Sequence, residues 1–228
     1  MLRRAGLIAL SLFLASSIGR AGELESDDEG PSVRFNGLLD LRGFAAGREI
    51  SWLRGGSNRL RYGGRDGDAD GRGDRNAFGA SVPQASVVVD AQVPPGVTLH
   101  LHGNFTTDSP SAAARVGLIE AFAEGSKELS FAKFGFRAGG TIPQISLEHP
   151  NPGWSTRYTL TPSAIGSWIG EELRMFGAEG SVSKELGPVE GKLVAGGFSG
   201  GDQIGRLLWF RGWAMHDYQG DLSAEYTV

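Results

Sequence analysis

Apolar and polar residues alternate along much of the chain after residue 32. In Val33–Phe44 the odd positions carry apolar residues or glycine, whereas the even positions include Arg34 and Arg42. The same period of two recurs in Ala85–Val93 and in Val97–Phe105. A period of two is typical of a β-strand, because successive side chains point to opposite faces of a sheet. The pattern therefore predicts strands with one apolar and one polar face.

Less regular alternation predicts five further strands. They are Arg115–Glu124, Leu129–Ala138, Leu173–Ser183, Val189–Ser199 and Leu222–Val228. The first of these is irregular, because Glu120 interrupts a series of apolar even positions. Together with the three clearer segments, they give a chain of about eight strands.

The segments between the predicted strands alternate strictly between long and short. The long ones are Gly47–Ala77, Asp108–Ala114, Gly139–Glu172 and Gly200–Asp221, and the short ones are residues 94–96, Gly125–Glu128 and Leu186–Pro188. Transmembrane barrels combine short periplasmic turns with long outer loops, and their strands are longer than the usual ~5–6 residues. The sequence thus predicts an all-β, antiparallel transmembrane β-barrel, either complete with eight strands or part of a larger barrel.

The N-terminal residues predict export. Arg3 and Arg4 precede the apolar run Leu7–Leu14, and small residues lead to a cleavage site after Ala21. This arrangement is typical of a secretory signal peptide, and the apolar run is too short for a membrane anchor of ~20 residues. We expect a signal peptide over residues 1–21, an acidic periplasmic leader over 22–32 and a barrel domain over 33–228, located in the cell outer membrane.

Composition narrows the function classes further. The chain of 228 residues contains no cysteine, which excludes disulfides, cysteine-ligated zinc and thiol catalysis. Its 36 glycines exceed twice the usual ~7%, as close strand packing and curvature would require. Removal of the signal peptide would leave 19 basic and 26 acidic residues, a net charge of −7, and we expect no nucleic-acid partner.

Several segments resemble porin-type outer-membrane barrels of Gram-negative bacteria. They are Ser146-Leu147-Glu148, Gly153-Trp154, Tyr158 to Ala164, Ser167 to Arg174, Trp209, Arg211 to Ala214, Ser51-Trp52-Leu53 and Leu60 to Gly63. The resemblance extends from residue 33 to about residue 221. It implies a channel for passive diffusion of small hydrophilic solutes, insertion by the barrel-assembly machinery, contact with outer-membrane lipid and, as in many porins, a homo-oligomer.

The polar strand faces supply the predicted pore lining. Charges there would be costly in lipid, at ~2–4 kcal/mol for a basic group at the midplane, so they must face the lumen. The predicted lining residues are Arg34, Asp40, Arg42, Asp90, His100, His102, Lys133, Arg137, Glu190 and Lys192.

The segment Gly139–Glu172 is the predicted constriction loop. Thr161 and Pro162 favour the start of a helix that could fold into the barrel mouth. The residues expected to narrow and charge the mouth are Glu148, Trp154, Arg157, Trp168, Glu171, Glu172 and Arg174. A solvated outer loop is the alternative for the same segment.

No motif in the sequence indicates an enzyme, a metal site or a cofactor. His100 and His102 share a strand face without an evident third metal ligand. The run Asp66-x-Asp68-x-Asp70-Gly71 resembles a calcium loop but carries Ala77 where the bidentate glutamate belongs. The alternative to a porin-like channel is a small closed barrel with a structural or adhesive role, which acts through its outer loops.

Overall fold

The computed structural model describes residues 31–56, 61–67, 73–93, 96–108, 115–142, 163, 174–186, 189–201 and 219–222. Its strands are β1 (Ser32–Ala46), β2 (Arg65–Gly67), β3 (Gly73–Arg75), β4 (Ala77–Gln92), β5 (Val97–Phe105), β6 (Val116–Leu129), β7 (Ala132–Thr141), β8 (Arg174–Leu186) and β9 (Val189–Gly201). A short 3₁₀ helix covers Trp52–Arg54. The described part of the chain has no helix long and apolar enough to cross a membrane.

Seven of the strands form one antiparallel sheet. Its order is β1-β4-β5-β6-β7-β8-β9, so that strands adjacent in the main sheet follow one another along the chain. The remaining two, β2 and β3, pair as a separate hairpin in the connection from β1 to β4. The predicted antiparallel all-β architecture is confirmed. In the described residues the sheet is open, with β1 at one edge and β9 at the other.

The connections of the sheet separate into a short-turn end and a long-loop end. Strands β4 and β5 are joined through Gly96, whose φ of 84° suits glycine, and the Val93 amide donates to the Val97 carbonyl across this turn. At the same end, Ser130–Phe131 connect β6 to β7, and β8 ends only two residues before β9 begins. The connections from β1 to β4, β5 to β6 and β7 to β8 are long and lie at the opposite end.

Several predicted strand boundaries were wrong, most clearly those of β6 and β4. The short turn expected at Gly125–Glu128 is part of β6, in which Glu128 lies opposite Lys133 of β7. Near a strand end both faces reach water, so a polar run there can continue the strand. In addition, β4 begins at Ala77 rather than Ala85, because its first half pairs with the end of β1, where Ala46 lies opposite Ala77.

The predicted last strand, Leu222–Val228, falls almost wholly outside the described residues. Leu222 itself lies in a turn, and its amide donates to the Leu118 carbonyl of β6 at 2.8 Å. Gly117 permits this close approach, since a Cβ atom there would lie 2.2 Å from Cβ of Asp221. Residues 219–222 therefore lie beside the start of β6.

The two faces of the sheet are inverted relative to those of a water-soluble protein. On the apolar face, Phe35 and Leu101 are 55% and 49% exposed. On the polar face, Ser86, His102 and Glu120 are 3%, 0% and 6% exposed. Soluble domains normally bury their apolar face and expose the polar one, so the described part of this sheet has the opposite arrangement.

A β-bulge in β6 explains the irregular sequence of that strand. The register shifts between His102 and Gly103 of β5, which lie opposite Glu120 and Leu118, so that Ile119 has no partner. An extra residue reverses the alternation of the side chains that follow it. Leu118 therefore remains on the apolar face, whereas Glu120 lies on the polar face opposite His102.

Gly139 of β7 tolerates substitution poorly, and we expect Gly139→Ala to lower the free energy of unfolding by about 2–4 kcal/mol. Its φ is 139°, and an added Cβ would lie 2.3 Å from the Ala121 carbonyl oxygen and 2.6 Å from Cα of Phe122. Chemical denaturation of both variants checks this, with Gly103→Ala as the control. Gly103 has no atom within 4 Å of an added Cβ. Equal losses in the two variants would contradict the prediction.

Candidate functional site

The polar face carries a cluster of hydrogen-bonding side chains from three neighbouring strands. His100 and His102 of β5 lie two residues apart and therefore on the same face. Nδ1 of His100 donates to Oδ1 of Asp90 at 2.6 Å. Nε2 of His102 lies 3.1 Å from Oγ of Ser86. We call Asp90, His100, His102, Ser86 and Glu120 the central cluster.

Glu120 lies between the two histidines of the central cluster. Its Oε2 atom is 3.7 Å from Nε2 of His100 and 3.8 Å from Nδ1 of His102. Its Oε1 atom accepts hydrogen bonds from Oγ1 of Thr141 and from the amide of Ile142, both at 3.2 Å. Thr141 and Ile142 come from the end of β7, so the carboxylate connects β5, β6 and β7.

Ser86 links the cluster to two amide side chains. Its hydroxyl donates to Oδ1 of Asn104 at 3.2 Å and accepts from Nε2 of Gln84 at 2.8 Å. Ser86, Asn104 and His102 are all buried. Buried polar groups need such partners, because each unpaired one costs about 1–3 kcal/mol. The centre of the polar face is thus a packed, hydrogen-bonded region.

A row of stacked and charged side chains continues across the polar face towards β7. The His100 ring stacks on Phe122, with centroids 4.5 Å apart and planes 16° from parallel. The Arg137 guanidinium lies 4.6 Å from the centroid of the same Phe122 ring. Arg137 also donates to Oε2 of Glu124 at 2.8 Å. Aromatic rings and charged side chains are therefore in contact with one another across β5, β6 and β7 on the polar face.

The first long loop folds onto the polar face at the long-loop end. We call residues 47–56 and 61–64 of this loop the strap. Nη2 of Arg61 donates to the Pro83 carbonyl at 2.9 Å and to Oγ1 of Thr106 at 3.3 Å. Nε of Arg61 lies 3.3 Å from Oδ2 of Asp108. These contacts attach the strap to β4 and to the end of β5.

Tyr62 adds a second attachment beside Arg61. Its hydroxyl lies 2.9 Å from Oγ of Ser81, and its ring stacks on Phe44 with centroids 4.3 Å apart. Burial raises the pKa of Tyr62 to about 12, although the positive charge of Arg61 acts in the opposite direction. Tyr62 is therefore neutral at physiological pH and can share a hydrogen bond with Ser81.

The predicted pore-lining residues belong to the polar face by register. Arg34 lies opposite Asp90, and Asp90 in turn lies opposite His100. Lys133 and Lys192 both lie opposite Ser183 of β8. Asp40 and Arg42 form an ion pair near the long-loop end. Arg137 lies opposite Glu179 as well as Glu124, and the backbone of Glu190 lies opposite Glu185.

The first residues of the predicted constriction loop, Gly139–Thr141, belong to strand β7, so the prediction that the loop begins at Gly139 was wrong, and the rest of the loop lies almost entirely outside the described residues. This holds for Glu148, Trp154, Arg157, Trp168, Glu171 and Glu172, and for the predicted helix that would follow Thr161. Arg174 is the first residue of β8, opposite Gly201. The calcium-like run is likewise outside the description at Asp68 and Asp70. Within the described ranges, no three histidine or carboxylate side chains are placed to hold a metal ion.

Sequence reasoning missed five residues that organise the polar face. Ser86, Asn104 and Glu120 complete the central region, and Arg61 and Tyr62 attach the strap. The break in alternation at Glu120 was a usable signal, because a bulge is the simplest way to restore the pattern after it. Comparisons with models of protein families, with curated proteins and with solved structures found no match.

Proposed function

We propose that the chain forms a transmembrane β-barrel in the outer membrane of a Gram-negative bacterium and acts as a porin-like channel for passive diffusion of small hydrophilic solutes. The observation that carries this proposal is the inversion of the sheet. Large apolar side chains such as Phe35, Val87 and Phe136 are about half exposed, at 55%, 57% and 48%, while charged groups occupy the opposite face. Lipid outside and water inside is the environment that suits both faces.

Strand length and loop asymmetry support the same proposal. The sheet strands contain 9 to 16 residues, and a tilted crossing of the membrane needs about 9–11. All the short turns lie at one end and all the long loops at the other, as in bacterial outer-membrane barrels. The short-turn end would face the periplasm, where the exported chain, after loss of residues 1–21, would begin.

The open sheet edges add a requirement to the proposal. In lipid, an unpaired strand edge would leave amide and carbonyl groups without partners, which costs several kcal/mol per group. The outer edges of β1 and β9 must therefore pair with further strands before the sheet can span a bilayer. Pairing could involve the rest of the chain or a second copy in a homo-oligomer, with assembly by the barrel-assembly machinery.

The proposal is tested by expression of the full chain in a Gram-negative host. We expect the protein in the outer-membrane fraction, with different gel mobility before and after boiling in detergent. In a planar bilayer, the purified protein should give discrete current steps. Recovery of a folded protein in the soluble periplasmic fraction would contradict the membrane proposal. Folded, membrane-inserted protein without current would contradict the channel.

In the same bilayer experiment, ion selectivity tests which face of the sheet lines the channel. Lys133 belongs to the polar face and is exposed, so Lys133→Glu should shift the reversal potential towards cation preference. Lys127 is the control, because it lies opposite Phe134 on the apolar face of the same hairpin. Lys127→Glu should leave selectivity unchanged. Equal shifts in both variants would show that Lys133 does not line the ion path.

A second candidate function is a filled barrel that acts through its outer loops. The burial of His102 and of Ile119, at 0% and 1% exposed, favours this alternative, because the centre of the polar face is packed rather than open. Barrels of about eight strands are normally filled by side chains in this way. The two candidates differ in the bilayer measurement, since a filled barrel inserts and changes gel mobility but carries no current.

A further inference from the structure

The strap has internal structure that holds it together as one unit. A 3₁₀ turn at Trp52–Arg54 ends at Gly55, whose φ of 81° is typical of a left-handed cap. The Gly56 amide donates to the Ser51 carbonyl at 3.0 Å, and the Gly64 amide donates to the Glu49 carbonyl at 2.8 Å. The second bond joins the two ends of the strap.

The strap is buried in a way that an ordinary solvated loop is not. Trp52 is 1% exposed and Leu53 is 3% exposed. Loops usually expose most of their side chains to water, and burial of a tryptophan removes about 150–250 Å² of surface from solvent. Trp52 and Leu53 are therefore shielded from solvent, and the strap reaches the sheet through Arg61 and Tyr62.

A bulge in the β1–β4 pair provides the main attachment point. The register shifts between Asp40 and Arg42, which lie opposite Gln84 and Ser81, so that Pro83 of β4 has no ladder partner in β1. The Pro83 carbonyl accepts a hydrogen bond from Arg61. The same side chain reaches Thr106 and Asp108, beyond the end of β5. One guanidinium thus connects the strap to two strands.

We propose that the strap is a closing element of the barrel mouth and that Arg61 is the latch that holds it closed. This inference rests on the proposed function, because a mouth exists only if the sheet closes into a barrel. Phe44, Ser81 and Arg42 share the polar face, so the contacts of Tyr62 place the strap on the lumenal side of the long-loop end. Release of Arg61 would swing this unit away from the polar face and widen the path for solutes.

The test combines a protease assay with the current measurement. In Arg61→Gln, the bonds to the Pro83 carbonyl and the ion pair with Asp108 are lost or weakened, and we expect cleavage at the exposed Glu49 by a glutamate-specific protease to become about tenfold faster or more. Single-channel conductance should rise in the same variant. Arg54→Gln is the matched control, since Arg54 is an exposed arginine of the strap. It should leave both readouts at the wild-type level.

Asp108→Asn is a milder second variant in case Arg61→Gln does not fold. It removes the charge but keeps an acceptor oxygen, so both readouts should change in the same direction by less. Faster cleavage with unchanged conductance would overturn the latch and leave the channel proposal intact. If neither wild type nor folded variants conduct, both the latch and the channel are overturned.

Discussion

Replacement of Leu101 by arginine is expected to destabilise the proposed membrane-inserted barrel by about 2–4 kcal/mol. Leu101 is at the middle of β5, opposite Val89 of β4 and Ala121 of β6, and is 49% exposed on the apolar face. In a barrel this position faces the hydrocarbon near the bilayer midplane, where a basic group has no water. The measurement is the free energy of folding into lipid vesicles from urea.

Val116→Arg is the matched control for this prediction. Val116 is on the same face and is 73% exposed, but it lies at the long-loop end, opposite Phe105. Near the interface an arginine can reach water, so its cost falls to about 0–1 kcal/mol. A large difference between the two variants supports a lipid-facing sheet. No difference, with better solubility in both, would mean that the apolar face meets water or another protein.

The strands of the sheet could be predicted because their side chains meet two different environments. Alternation in Val97–Phe105 and Val33–Phe44 located β5 and most of β1, since each residue there contributes to only one face. The same argument failed near Gly125–Glu128, where both faces reach water and the period carries no information. The alternation reflects the difference in burial between the two faces of the sheet, and not the intrinsic preference of the residues for strands.

Only part of the candidate site could be predicted from the sequence. His100, Asp90 and Arg137 were accessible to sequence reasoning because charged residues at alternate positions share a face. Glu120 was missed although its break in the alternation signals a bulge, because the period alone does not show which face follows the bulge at Ile119. Arg61 and Tyr62 lie in a loop without any period, and their partners, from Phe44 to Asp108, are 18 to 47 residues away along the chain. Such pairings are decided by tertiary packing.

The second prediction with a large expected loss of stability concerns Glu120 of the central cluster. We expect Glu120→Ala to lower the free energy of unfolding by about 3–5 kcal/mol, as is usual when one partner of a buried charged network is removed. The substitution leaves the Ile142 amide and the Thr141 hydroxyl without their acceptor. It also removes the carboxylate that faces His100 and His102. Urea unfolding in detergent micelles measures the loss.

Glu124→Ala is the control that distinguishes the loss of a buried carboxylate from the loss of an exposed one. Glu124 is on the same strand and the same face, four residues from Glu120, but its side chain is 42% exposed and its partner is Arg137. An exposed ion pair contributes about 0–1 kcal/mol, so this variant should remain close to wild type. Equal, small losses in both variants would contradict a packed cluster, because water would then reach Glu120 and replace its partners. If Glu120 is hydrated, the middle of the polar face is open to solutes. If Glu120→Ala is much less stable than Glu124→Ala, as expected, the cluster is packed and any solute path runs beside it.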